Sequence, residues 1–189
     1  MTHHIIFEGA ELSGKSWIMS QIYDFLESKY HESDSLLDGC YWFNCDVGVF
    51  GTDKGKAVIK NYVSIFKTLQ EKNIIVEKFH LADKIYSRLY RQKRVGYRLL
   101  EKRLQKLNFK IVLVVFPEDE NIIRQRLEDR IKLYPHYRRI AKEPSFYIAQ
   151  QKLYLKKIKR SKLPYLIIEA DELPSEKYRE DILDWLGEE

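Results

Sequence analysis

The sequence predicts an α/β chain built on a five-stranded parallel sheet with helices on both of its faces. Three observations carry this. Short β-branched and aromatic runs alternate with segments of helical period along all 189 residues. Each run is apolar almost throughout, as strands covered on both faces are. The first run ends in a glycine-bounded loop that opens directly into an amphipathic helix.

The five predicted strands are 4–8, 40–44, 73–77, 111–116 and 165–169. Between them, 15–30 places Ile18, Ile22, Phe25 and Leu26 on one helical face, and 56–71 does the same with Val58, Tyr62, Ile65, Phe66 and Leu69. Residues 81–107 read as one long or broken helical region, with Gly96 as the candidate break. Ile123, Leu127 and Ile131 recur at intervals of four in 120–133, and further helices are expected over 146–162 and 175–186. Pro164 and Pro174 bracket the fifth strand. No repeat, low-complexity tract or linker divides the chain, so residues 1–189 are expected to form one domain.

Composition narrows the classes. Apolar residues at 44% supply a core, and charged residues at 32% supply a solvated surface, which excludes a disordered chain. The net charge of +5 suits anionic ligands. Lysines and arginines are spread along the chain and form no dense block, so nucleic acid is allowed as a partner but not favoured. Cys40 and Cys45 lack disulfide or zinc spacing and read as buried free thiols, which points to a reducing, cytoplasmic setting. Residues 1–4 lack a secretory pattern, and no run approaches membrane-spanning length.

The residues Gly9, Ala10, Glu11, Leu12, Ser13, Gly14, Lys15 and Ser16 fit G-x-x-x-x-G-K-[S/T], with Trp17 next in the helix. The glycines permit a tight loop whose backbone N–H groups turn inward around phosphate oxygens. Lys15 adds a point charge over the outer phosphates, Ser16 offers a hydroxyl to magnesium, and the helix start adds its dipole. This predicts a site for ATP and Mg2+.

The third strand ends in Glu77, followed by Lys78 and Phe79. Ligands of open α/β sheets bind beyond the carboxyl ends of the strands, so Glu77 is expected on the same edge as the loop. There it can accept a proton from an attacking hydroxyl or order the magnesium shell, and Lys78 can hold an anionic acceptor. After the fourth strand, Arg126 and Arg130 lie four apart on a helix and can stabilise a transferring phosphoryl group, which places a small helical lid at about 124–145. Arg138 and Arg139 are weaker lid candidates. Phe79 is the aromatic chosen to stack on an acceptor base; Tyr86, Tyr90, Phe43 and Trp42 read as core. His80 and His136 read as hydrogen-bonded or surface histidines, and Asp46 as either a turn residue or a helper of magnesium or acceptor.

Taken in order, these segments resemble the thymidylate kinase-like branch of the P-loop kinases. Residues 7–16 are similar to that family's strand and loop, and Glu11 matches its loop carboxylate near the acceptor sugar. Residues 77–86 resemble its Asp-Arg-aromatic segment and following helix, Arg126 and Arg130 its lid arginines, and 162–171 its last strand. The resemblance implies a three-layer P-loop NTPase fold with strand order 2-3-1-4-5. It further implies an ATP-dependent kinase of a nucleotide acceptor, a nucleoside monophosphate such as thymidylate. Glu77 and Lys78 depart from the family's Asp-Arg, and glutamate there is closer to the deoxynucleoside kinases. Arg88 and Arg91 are then the residues to supply the missing charge, ahead of Arg94 and Arg98.

Other readings stay open at this point: a kinase of nucleosides, polynucleotide ends or small alcohols, or a P-loop ATPase or nucleotide-binding regulator without transfer. Against a switch or motor, the Asn-Lys-x-Asp base-reading pattern is absent and no strand ends in an Asp-Glu pair. Sequence leaves a homodimer open.

Overall fold

The computed structural model describes residues 2–188. Five parallel strands, β1 (His4–Glu8), β2 (Cys40–Asn44), β3 (Asn73–Glu77), β4 (Phe109–Val115) and β5 (Tyr165–Glu169), form one sheet in the order β2-β3-β1-β4-β5. Seven helices connect them: α1 (Lys15–Tyr30), α2 (Gly55–Thr68), α3 (His80–Arg91), α4 (Arg98–Lys106), α5 (Glu120–Leu133), α6 (Pro144–Ile158) and α7 (Lys177–Leu186), with a 3-10 turn at Pro135–Arg139. This is the predicted three-layer α/β architecture, with the predicted strand order.

Alternation along the strands sorts the core into two layers. Ile6, Ile74, Val76 and Leu113 face α2, α3, α4 and α6, whereas Ile5, Phe7, Ile75, Val112 and Val114 face α1 and α7. Ile18, Met19, Ile22 and Leu26 of α1 are buried in that second layer. Glu27 is buried there as well, because its Oε2 accepts the N–H of Cys40 at 2.7 Å and ties α1 to β2. Cys40 and Cys45 are both free and buried.

The departures from expectation sit at edges and breaks. β4 starts two residues early, at Phe109, whose ring fills the first layer against Phe66 at 5.3 Å. The helical region 81–107 is two helices, and the break begins before Gly96: Gln92 takes a left-handed conformation (φ 54°) and ends α3. β5 is an edge strand, and Tyr165 and Ile167 stay partly exposed on the face that no helix covers. Only Ile123 of α5 is buried, so this helix stands away from the core. No helix among the described residues is long and apolar enough to cross a membrane.

The registers bring strand ends to a common edge. Asn44 lies opposite Glu77, Glu77 opposite Phe7, and Glu8 opposite Leu113. The loop after β1 and the turn after β3 therefore leave the sheet side by side.

Candidate active site

The loop between β1 and α1 is shaped by two glycines. A Cβ on Gly9 (φ 153°) would lie 2.4 Å from the carbonyl oxygen of Val114, so only glycine fits against β4. Gly14 (φ 84°) turns the chain into α1. Leu12 also has a positive φ, 67°, and the N–H of Ser13 donates to Ala10 O at 3.4 Å to close the loop. No side chain caps α1, and Trp17 N–H donates to Gly14 O at 3.1 Å, so the N–H groups of Lys15 and Ser16 are left for an anion. The Ser13 hydroxyl is buried without a partner at the same place. Such a cradle fits a phosphate chain.

Lys15 is buried and folds back over the loop, with Nζ 3.4 Å from Ala10 O. Burial, and next the charge of Lys78, lower its pKa to about 8, against the pull of Glu77, Glu11 and Glu8. The Ser16 hydroxyl donates to Glu77 Oε1 at 2.7 Å. Two candidate metal ligands from separate segments thus meet beside the buried ammonium. Among the described residues no group of three His, Cys, Asp or Glu could cage a metal alone. The Ser16–Glu77 pair instead fits magnesium, which takes one or two protein ligands and completes its shell with phosphates and water. Trp17 packs against the α1/α7 core layer.

Lys78 occupies a left-handed conformation (φ 53°), unusual for a residue with a side chain. Its N–H donates to Phe7 O at 2.9 Å, which turns the chain sharply from β3 toward α3. Its ammonium pairs with Asp46 at 3.1 Å and lies 5.7 Å from the centre of the Tyr86 ring.

Glu11 is gripped by two phenols. Tyr86 donates to Oε1 at 3.4 Å, and Tyr137, from the 3-10 turn after α5, donates to Oε2. The guanidinium of Arg130 covers the Tyr137 ring at 5.5 Å and the Tyr134 ring at 4.7 Å. The segment expected to be a lid therefore rests on the phosphate loop through Tyr137. Tyr137→Phe removes one hydrogen bond to a charged group, worth about 1.5–3 kcal/mol. The expected result is amide exchange about tenfold or more faster across 135–139, with the sheet amides unchanged.

The structure places four further candidates elsewhere. The guanidinium of Arg126 donates to the carbonyls of Leu12 (3.1 Å), Ala170 (2.5 Å) and Asp171 (3.1 Å). It therefore ties the root of α5 to the loop and to the end of β5, and diverges from Arg130. Arg91 pairs with Asp53 at 2.7 Å, and Arg88 is exposed. The structure does not bring either to the Glu77 cluster. Phe79 corrects the sequence reading: its ring is fully buried, 5.5 Å from that of Phe66, with no face left to stack on an acceptor.

Four positions that shape the site escape a motif-based reading. Glu8 ends β1 inside the protein, and its Oε1 accepts the N–H groups of Phe79 (3.1 Å), Leu81 (3.0 Å) and Ala82 (3.3 Å). It thereby caps α3 and fixes the turn that carries Glu77 and Lys78. Gln150 and Gln151 of α6 are buried. Gln150 accepts the N–H of Glu11 at 3.0 Å, and Gln151 brackets the N–H and C=O of Phe116 at 2.7 and 2.8 Å. The available signal was an uncharged polar pair in a helix otherwise rich in lysine. For Tyr137 no local signal exists.

Fold and loop together define a P-loop nucleotide-binding architecture. No family model matches the sequence, and no curated protein matches it significantly. Solved structures do match in fold. The YorR protein from Bacillus subtilis, in complex with phosphorylated GDP, superposes with a TM-score of 0.68 at 18% identity, over 97% of this chain and 95% of that one. Deoxyadenosine kinase from M. mycoides with bound dATP gives 0.56 at 18% identity, over 97% and 99%. Thymidylate kinase from Ehrlichia chaffeensis gives 0.58 at 12% identity, over 98% of each chain.

Proposed function

We propose that the protein is an ATP-dependent kinase that transfers the γ-phosphoryl group to a nucleotide acceptor, a nucleoside monophosphate such as thymidylate. The observation that carries this reading is the Ser16–Glu77 contact beside buried Lys15. The pair would hold the magnesium that phosphoryl transfer requires. The fold similarity to proteins described as thymidylate and deoxyadenosine kinases supports it.

In this reading the loop N–H groups and Lys15 hold the triphosphate, and Lys15 offsets the charge that builds on the outer phosphates. Ser16 and Glu77 would hold magnesium, which supplies neutralisation of phosphate charge when bound. An acceptor oxygen attacks the γ-phosphorus, and the bond from that phosphorus to the bridging oxygen breaks to release ADP. A monophosphate acceptor brings an anionic oxygen, so Glu77 serves to orient. A nucleoside acceptor brings a hydroxyl, whose proton goes to Glu77. Glu11 lies toward the acceptor side, and Arg130 and the turn bearing Tyr137 close over it, excluding water.

A nucleoside acceptor is the second reading, and a specific observation favours it. Two of the three cations assigned to an acceptor phosphate are already engaged, Lys78 with Asp46 and Arg91 with Asp53, and the third, Arg88, is exposed and away from the Glu77 cluster. Incubation with ATP and magnesium against nucleosides, nucleoside monophosphates and DNA ends, with product analysis by mass, separates the two. We expect acceptor-dependent ADP formation, and about a hundredfold lower kcat in Glu77→Gln. Slow ATP hydrolysis that ignores every acceptor would sink the kinase reading.

A further inference from the structure

Basic residues that look scattered in the sequence are gathered by the fold onto one side. Residues 84–106 contain nine lysines and arginines and one acidic residue, Glu101, and residues 144–163 contain six and no acidic residue. Together they hold fifteen of the chain's 33 basic residues and one of its 28 acidic ones. The rest of the chain is therefore net negative, although the whole carries +5. Both stretches pack on the same face of the sheet, as α3, α4 and α6 with their connections.

The three elements meet at one buried junction. The Glu101 carboxylate of α4 takes Lys84 of α3 at 2.9 Å, His80 at 3.1 Å and the N–H of Lys162, just after α6, at 3.4 Å. Gln105 of α4 donates to Lys162 O at 2.8 Å. Glu101 is thus used up inside the protein; Arg91 and Lys93 pair with Asp53 and Lys152 with Glu118, and the other exposed cations of these stretches have no carboxylate partner among the described residues. Lys156, Lys159 and Arg160 share a shallow groove with Lys152 and Leu155, and no carboxylate lies within ion-pair distance of these three among the described residues. Beside it on α6, Lys157 is pushed below its ordinary pKa by burial and then by Arg160, Lys84, Arg94 and Lys156. Cations of α3, of the segment before α4 and of α6 therefore lie within mutual electrostatic reach.

We propose that this α3–α4–α6 surface binds the phosphate backbone of a nucleic acid. A surface with fifteen basic residues and one acidic one, including the unpaired Lys156, Lys159 and Arg160, matches a ligand with repeated negative charge. A membrane surface fits less well. It needs an apolar face to insert, but the apolar residues Leu100 and Leu104 of α4 are buried, and the exposed large apolar residues of these helices are the scattered Leu99 of α4 and Tyr90 of α3. The proposal does not depend on the kinase reading.

The test is fluorescence anisotropy with a labelled single-stranded DNA of about twenty nucleotides, from about 50 to about 300 mM salt. We expect binding that weakens steeply with salt and is not displaced by excess ATP and magnesium. Lys156→Gln/Lys159→Gln/Arg160→Gln should lower the log–log salt slope by about two and weaken Kd at least tenfold at low salt. A charge-matched control on α2, Lys56→Gln/Lys60→Gln/Lys67→Gln, should leave the slope unchanged. If the α6 triple does not fold, Arg160→Gln alone should lower the slope by about 0.7. The proposal is overturned by no binding at low salt, by displacement with ATP, or by equal losses in the two triples. It also fails if the surface binds phosphatidylcholine–phosphatidylserine vesicles and not DNA.

Discussion

Lys15→Met is expected to lower kcat/KM for phosphoryl transfer about a thousandfold and, at the same time, to stabilise the folded protein by about 1–3 kcal/mol at pH 7. The two effects have one cause. The ammonium is buried, and its desolvation exceeds the attraction of Glu77, Glu11 and Glu8, so its pKa falls from 10.5 to about 8. Between those values the unfolded chain holds the proton more tightly than the folded one. Wild-type stability therefore rises with pH from about 8 toward 10.5, and the deficit is complete below about 8. Its full size is about 3 kcal/mol, reduced in the variant by the three carboxylates left facing one another. Urea unfolding of both proteins at pH 7 and pH 10 measures this; an advantage of Lys15→Met that is undiminished at pH 10 would contradict it. A triphosphate would supply counter-charge to the Lys15 ammonium, so ligand binding should weaken above about pH 8 in the wild type. It should not do so in Lys15→Arg, whose guanidinium stays charged.

Glu8→Ala should destabilise the protein by about 2–4 kcal/mol, and Glu8→Gln by much less. Alanine leaves three buried N–H groups at the start of α3 without an acceptor, whereas glutamine keeps a carbonyl oxygen there. The two variants also differ with pH. Burial raises the Glu8 carboxyl to about 7, against the three N–H donors and Lys15. From pH 4.5 to about 7 the folded state then holds the proton that the unfolded state has released, so wild-type stability falls as pH rises through that window. Glu8→Gln has nothing to titrate and should show that slope removed. A wild-type profile that rises across the same interval would refute the assignment. Because Glu8 caps the helix that follows Lys78, Glu8→Ala should also lower kcat by loosening the turn that carries Glu77.

Much of this was legible before any coordinates. Runs such as Ile5-Ile-Phe7 and Ile74-Ile-Val76 are short, β-branched and continuous, and they became central strands with the register that sets Glu77 beside the loop. That Glu77 would share an edge with the Gly9–Ser16 loop followed from rules about strand ends; the Ser16–Glu77 contact itself did not. The failures are contacts that no local period encodes. Phe79 follows the site carboxylate directly, and its aromatic type suits stacking equally in a core or on a ligand; the left-handed turn at Lys78 sends it inward. Glu8 reads only as the end of the first strand, because its partners, the N–H groups at the start of α3, lie far away in sequence. Arg126 and Arg130 share a helical face, yet the end of β5 lies near one and the Tyr137 turn near the other. Clustering of charge on α3, α4 and α6 likewise depends on which helices the sheet order makes neighbours.

The two cysteines carry a practical consequence. Cys40 is buried with its thiol pushed up to about 12, chiefly by burial, and Cys45 is raised in the same way. Neither forms thiolate near neutral pH, so both should be silent toward maleimides in the folded protein. A single cysteine placed at exposed Arg138 would then be the sole reactive handle, without removing either native thiol. A fluorophore attached there would report directly on whether the Tyr137 turn lifts from Glu11 when nucleotide arrives.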